Sequence, residues 1–120
     1  MISGIAINAE ITMEQLTSFN NALKTVIAVD NQCTTSDDCD ALPVGAQACG
    51  GPSSYVVYSK KSSNTEDIQR LAQITTELEK QYNTENDIVS ICSLVAMPGV
   101  ECDNTNKCVA DLSSVVPDIQ

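Results

Sequence analysis

Six cysteines, at positions 33, 39, 49, 92, 102 and 108, are the most chemically versatile residues of this 120-residue chain. Such a set could bridge in pairs, hold a soft metal as thiolates, or supply a nucleophile. The number is even, and the spacing C-x5-C occurs twice, at Cys33/Cys39 and Cys102/Cys108. Zinc sites favour tighter C-x2–4-C pairs, often with histidine, whereas this chain has no His and no C-x-x-C. The pattern therefore predicts three structural disulfides among Cys33, Cys39, Cys49, Cys92, Cys102 and Cys108, formed in an oxidising compartment. Bridged sulfur leaves no thiolate to attack a substrate. Connectivity stays open, because six cysteines allow fifteen pairings. The preferred set is Cys33–Cys39, Cys102–Cys108 and Cys49–Cys92, two local loops and one tie between distant segments.

Other chemistry is sparse. Without His there is no imidazole base and no Ser-His or Cys-His pair. Neither S-x-x-K nor G-x-S-x-G occurs. No spacing among the 16 acids singles out a catalytic pair. The reading is accordingly not an enzyme, with a carboxylate-based hydrolase as the least favoured alternative, and it calls for no cofactor and no metal. Two acidic clusters could attract calcium, which accepts several oxygen ligands on irregular loops. One is Asp37, Asp38 and Asp40; the other is Glu101, Asp103, Asn104 and Asn106. Neither follows the D-x-[DN]-x-[DN]-G pattern, and Asp and Asn are common in turns for backbone reasons. The string Cys49-Gly50-Gly51-Pro52 could make a nest of N–H groups for an anion. More simply, its glycines allow positive φ beside a disulfide and its proline leads into a strand.

Sixteen Asp and Glu oppose six Lys and Arg, for a net charge of −10. That balance disfavours nucleic acid and anionic lipid as partners. No stretch is long and apolar enough for a membrane span, and Met1 to Glu10 lacks the basic start and apolar run of a signal peptide. The expectation is a mature periplasmic or secreted chain with a Met in front. There is no Trp, one Phe and three Tyr, so the core must be built from Ile, Leu, Val and Ala.

Positioning these residues falls to a few elements. Residues 1–11 read as an N-terminal arm, 12–113 as one disulfide-stapled domain, and 114–120 as a tail. Thr12 and Gln15 form a T-x-x-Q capping box before an apolar stripe of Leu16, Phe19, Leu23, Val26 and Ile27. This predicts a helix over 13–29. Residues 30–54, with three cysteines, read as a long irregular stretch turned by Leu42-Pro43 and Gly50-Gly51-Pro52. Tyr55 to Lys60 has strand composition, with Tyr55, Val57 and Ser59 on one face and Val56 and Tyr58 on the other. Ser63 and Glu66 suggest a second capping box, with Asn64 or Thr65 as rival caps. Behind it Ile68, Leu71, Thr75, Leu78 and Tyr82 repeat at helical spacing, widened by Ala72 and Ile74; Glu66 and Arg70 add an i,i+4 pair. This helix should end near Tyr82-Asn83. Ile88 to Met97 reads as a central strand and Pro98-Gly99 as a type II turn. Val100–Asp103 and Lys107–Leu112 read as a hairpin in which Cys102 and Cys108 stand opposite each other. The fold class is α+β, two helices on a small antiparallel sheet.

The order C-x5-C, Leu42-Pro-x-Gly45-x-x-x-Cys49-Gly-Gly-Pro-x-x-Tyr55-x-x-Tyr58-Ser59, a helix, Ser90-x-Cys92 and a second C-x5-C resembles a group of small exported bacterial proteins of unknown function. The likeness spans about residues 33–108, and CGGPxxYxxYS is its specific part. It implies a periplasmic or secreted protein and brings no activity or site residues. The functional expectation is a non-catalytic protein-binding module, inhibitor-like or an envelope accessory, presenting the Leu42-Pro43-Val44-Gly45 loop to an unknown protein partner. A calcium-stabilised structural domain is the alternative.

Overall fold

The computed structural model describes residues 10–89 and 94–111. Its elements run α1 (Met13–Val29), a short 3-10 turn (Ser36–Asp38), β1 (Cys39–Val44), β2 (Ser54–Ser59), α2 (Thr65–Glu85), β3 (Gly99–Cys102) and β4 (Cys108–Asp111). This is the α+β class. The single sheet expected is instead two antiparallel hairpins, β1–β2 and β3–β4.

Helix α1 begins where the capping box placed it. The Thr12 hydroxyl accepts from the Gln15 N–H at 3.1 Å, and the Gln15 side chain accepts from the Thr12 N–H at 2.9 Å. Each bond satisfies a donor that a helix start would otherwise leave unpaired. Helix α2 starts differently. Its N-cap is Asn64, and the Ser63 N–H and hydroxyl both donate to Asp30 Oδ2, at 2.9 and 3.1 Å. The proposed Ser63 box is thereby replaced by a clamp between the end of α1 and the start of α2. Arg70 pairs with Asp67 at 2.9 Å rather than with Glu66. The helix also runs to Glu85, about a turn past the expected end.

Strand β1 corrects the reading of 30–54 as irregular. Pro43 does not turn the chain. It pairs with Tyr55 within a ladder from Cys39↔Ser59 to Val44↔Ser54, which a two-stranded sheet permits because both its strands are edges. The period-two alternation of a strand then separates two cores. Leu42, Val44, Val56 and Tyr58 join Leu23, Ile27, Ile68 and Ala72 beneath the helices. On the other face Cys39 and Val57 pack with Cys33, Cys102, Cys108 and Val100. The β1–β2 hairpin is therefore the middle layer, with helices on one side and a sulfur-rich hub on the other.

The second hairpin holds the predicted register, Cys102↔Cys108, but not the predicted bridges. Cys33 bonds to Cys102 and Cys39 to Cys108. Both local loops, Cys33–Cys39 and Cys102–Cys108, are thus corrected. The physical reason lies in the backbone. The Cys33 N–H donates to Asn106 O at 3.0 Å, the Cys108 N–H donates to Asn31 O at 3.2 Å, and Gln32 bridges Lys107. The segment holding Cys33 lies along the second hairpin, so each cysteine meets a partner across the chain rather than its neighbour in sequence. Cys49 is also disulfide-bonded; its expected partner, Cys92, lies outside the described residues.

The described parts of the apolar run expected as the central strand, residues 88–89 and 94–97, are not strand. Residues 90–93, including Ser90 and Cys92, fall outside the described set. The flanking residues carry no regular structure, and Val89 and Leu94 are 92% and 94% exposed. Gly99 is the first residue of β3, paired with Asp111, and not the corner of a type II turn. Residues 1–9 of the arm, Leu112 and the tail likewise lie outside the described residues.

Candidate functional site

The site is built around the loop that joins β1 to β2, residues 45–53. Gly45 has φ +83°, a conformation that side chains resist, and it turns the chain onto α2. Three side chains of that helix seize the loop at its neck. The Thr76 hydroxyl accepts from the Gly45 N–H at 2.9 Å, and Glu79 Oε1 accepts from the Ala46 N–H at 2.8 Å. Asn83 Nδ2 donates to Ala46 O at 2.9 Å. Glu79 Oε1 also accepts from the Ser53 hydroxyl at 2.7 Å, so one carboxylate closes both ends of the loop.

Beyond the neck the loop is held by its own bonds. The Gln47 N–H donates to Gly51 O, the Gly50 N–H to Gln47 O, and Gln47 Nε2 to Pro52 O, all at 2.9–3.0 Å. Gly50 and Gly51 sit at φ +113° and +84°, and a Cβ added to either would meet nothing within 4 Å. These glycines serve the backbone conformation of an exposed tip and not a close approach. Since the Gly50 N–H is spent inside the loop, it is not offered to an anion.

Two open clefts flank the tip. One, about 380 Å³, is walled by Pro43, Ala48 and Pro52 of the loop side and by Thr76 and Lys80 of α2. The next, about 520 Å³, continues along Lys80, Asn83 and Thr84 towards Ile88. Lys80 is common to both and is 3.5 Å from Glu77. A smaller cavity behind the neck, about 140 Å³, holds Glu79 and Ser53 beside Leu16 of α1. A fourth lies by Asp30, Cys33 and Lys61. Each of these cavities has at most one carboxylate, so none supplies the facing pair a glycosidase-type mechanism needs.

The expected interaction loop Leu42-Pro43-Val44-Gly45 is therefore moved. Leu42, Pro43 and Val44 are strand, Val44 and Gly45 are buried, and only Pro43 is exposed. The exposed tip is Ala48, Cys49, Gly50 and Gly51. Sequence reading passed over Thr76, Glu79, Lys80 and Asn83, which lie off the apolar stripe. Their spacing of 0, 3, 4 and 7 was the available signal, a second, polar stripe on the same helix.

The two acidic clusters have other duties. Asp38 Oδ2 accepts from the Thr34 N–H, the Thr34 hydroxyl and the Thr35 N–H at 2.8–3.3 Å. These bonds, led by the Thr34 N–H and helped by Lys61 at 3.5 Å, hold its carboxyl far below the usual range. Asp103 Oδ1 accepts from the Thr105 hydroxyl, the Thr105 N–H and the Lys107 N–H, which lowers its pKa in the same way. Both carboxylates shape turns. Among the described residues the groups that converge as three or more potential metal ligands are the sulfurs of Cys33, Cys39 and Cys108, not carboxylates. No helix among those residues is long and apolar enough to cross a membrane. No protein-family model, curated protein or solved structure matches the chain.

Proposed function

We propose that the protein is an exported, non-catalytic binding module that recognises a protein partner through the 46–52 loop and the cleft beside it. One observation carries this reading: an exposed tip held at both ends by Glu79, with Thr76 and Asn83 fixing its neck. A loop already fixed in shape loses little conformational entropy when a partner engages it. The bridge at Cys49 adds a covalent restraint at the tip itself. The cleft offers apolar contact from Pro43, Ala48 and Pro52 with one cation, Lys80, at its rim. An inhibitor-like or envelope accessory role uses such a surface.

Immobilised wild-type protein should retain a specific partner from extracellular or envelope extracts, and Ala48→Arg or Lys80→Glu should release it. Identical retained proteins for all three forms would overturn the reading. Export is tested separately by trapping thiols in native cells. The cysteines should resist alkylation until a reductant is added, and immediate labelling would argue for a reducing compartment. The calcium alternative gains no support from Asp38 and Asp103, each of which spends one carboxylate oxygen on three hydrogen bonds within its own turn.

A further inference from the structure

We propose that the hub of Cys33, Cys39, Cys102 and Cys108, once reduced, is a tetrathiolate site for one Zn²⁺ ion. The Sγ atoms of Cys33, Cys39 and Cys108 already lie within 4.8 Å of one another, and all three residues are buried. Cys102, bonded to Cys33 and half-buried, brings the fourth sulfur and a path from solvent. A tetrahedral zinc centre with Zn–S bonds of about 2.3 Å places its sulfurs roughly 3.8 Å apart. Cys102 Sγ lies outside that converging group, so a four-sulfur shell requires the opened side chains to rotate inward.

The frame that holds the sulfurs is tied by more than the bridges. Five hydrogen bonds tie the segments together: Cys33 N–H to Asn106 O, Cys108 N–H to Asn31 O, Asn31 Nδ2 to Cys108 O, Ser59 hydroxyl to Gln32 O, and Lys60 N–H to Asp38 O. These bonds involve no sulfur, and binding of the metal supplies folding free energy in place of the opened bridges. A sulfur-only donor set selects a soft cation over calcium or magnesium. Binding releases the thiol protons and so strengthens as pH rises. In the balanced sequence, each bridge takes two electrons and two protons from a dithiol, which closes to its own disulfide. Zn²⁺ then displaces the four thiol protons as four S–Zn bonds form.

The test uses the full chain, reduced by a dithiol that is then removed under anaerobic conditions, with Co²⁺ as the optical probe. Sulfur-to-cobalt charge-transfer absorption should saturate at one equivalent and vanish on adding Zn²⁺. Cys49→Ser should keep it at full strength and Cys39→Ser, with one S–Co bond fewer, should weaken it. In the wild-type chain, Zn²⁺ should shield Cys33, Cys39, Cys102 and Cys108 from alkylation while Cys49 is labelled, a readout that needs no hub variant to fold. Absence of the charge-transfer absorption, its undiminished strength in Cys39→Ser, or equal labelling of all cysteines would each overturn the proposal. The outcome is independent of whether the 46–52 loop binds a partner.

Discussion

At the scale of single residues, Gly45 and Asp38 show how one position can hold a neighbourhood. A Cβ at Gly45 would run into Glu79 and Ser53, and the positive φ adds its own cost. Gly45→Ala should therefore destabilise by about 1–3 kcal/mol, whereas Gly50→Ala or Gly51→Ala, facing open space, should cost only about 1 kcal/mol. Urea unfolding of the three variants gives the comparison, and equal losses would remove the steric account. Asp38 carries a pH dependence whose sign is fixed by its depressed pKa. Its stabilisation is complete above the unfolded carboxylate value of about 3.9 and is lost as pH falls through the folded value. Asp38→Asn should be less stable than wild type near neutrality, and the gap should close as the solution is acidified; a constant gap across an acid titration would contradict this. Neither role was visible in the sequence. Gly45 stood in a string of turn residues, and Asp38 stood in an acidic run that read as turn chemistry first and calcium second. What separates these readings is which N–H groups the folded chain brings to the carboxylate.

Elements were legible where their signals are local. Helix α1 starts and ends as read because its cap and stripe involve neighbours three or four residues apart. Removing the Thr12 hydroxyl should cost about 1 kcal/mol, measurable as a lowered denaturant midpoint for Thr12→Ala with unchanged slope. Strand β2 was legible from its β-branched and aromatic residues. The start of α2 was not, because the Ser63 hydroxyl is taken by Asp30, 33 positions away. Strand β1 was missed for a physical reason: both its faces are covered, so Ala41 and Leu42 carry no polar alternation, and Pro43 reads as a break until the strand is known to be an edge. The described flanks of the 88–97 run, residues 88–89 and 94–97, misled in the opposite direction, since apolar composition alone does not guarantee burial. The candidate loop lay in plain sight as Cys49-Gly50-Gly51-Pro52. Its grip by α2 depends on which face of that helix turns to β1, a tertiary fact.

For the whole molecule, the two hub bridges form a ladder in which Cys33–Cys102 and Cys39–Cys108 each span 69 positions. Closing the first such loop restricts the unfolded chain by about 4 kcal/mol, but the second then closes only a short ring through the two C-x5-C segments, for about 3 kcal/mol. Replacing either pair by serines should therefore cost about 3 kcal/mol and replacing both about 7 kcal/mol, a loss comparable to the total stability of a small domain. Chemical denaturation of the two double variants and the quadruple variant measures the series. Equal costs for one and two bridges would show that the second adds nothing.

The same ladder makes the chain indifferent to a cut in the connection from Cys39 to Cys102. Lys60 and Lys61 stand exposed in the connection from β2 to α2, where a trypsin-like protease would cleave. Both halves would remain joined twice, through Cys33–Cys102 and Cys39–Cys108. Nicked protein should run as one species without reductant and as two with it, and should still fold around the undisturbed core of Leu23 and Ile68. A molecule wired in this way survives proteolysis as a two-chain protein, with its 46–52 loop still presented.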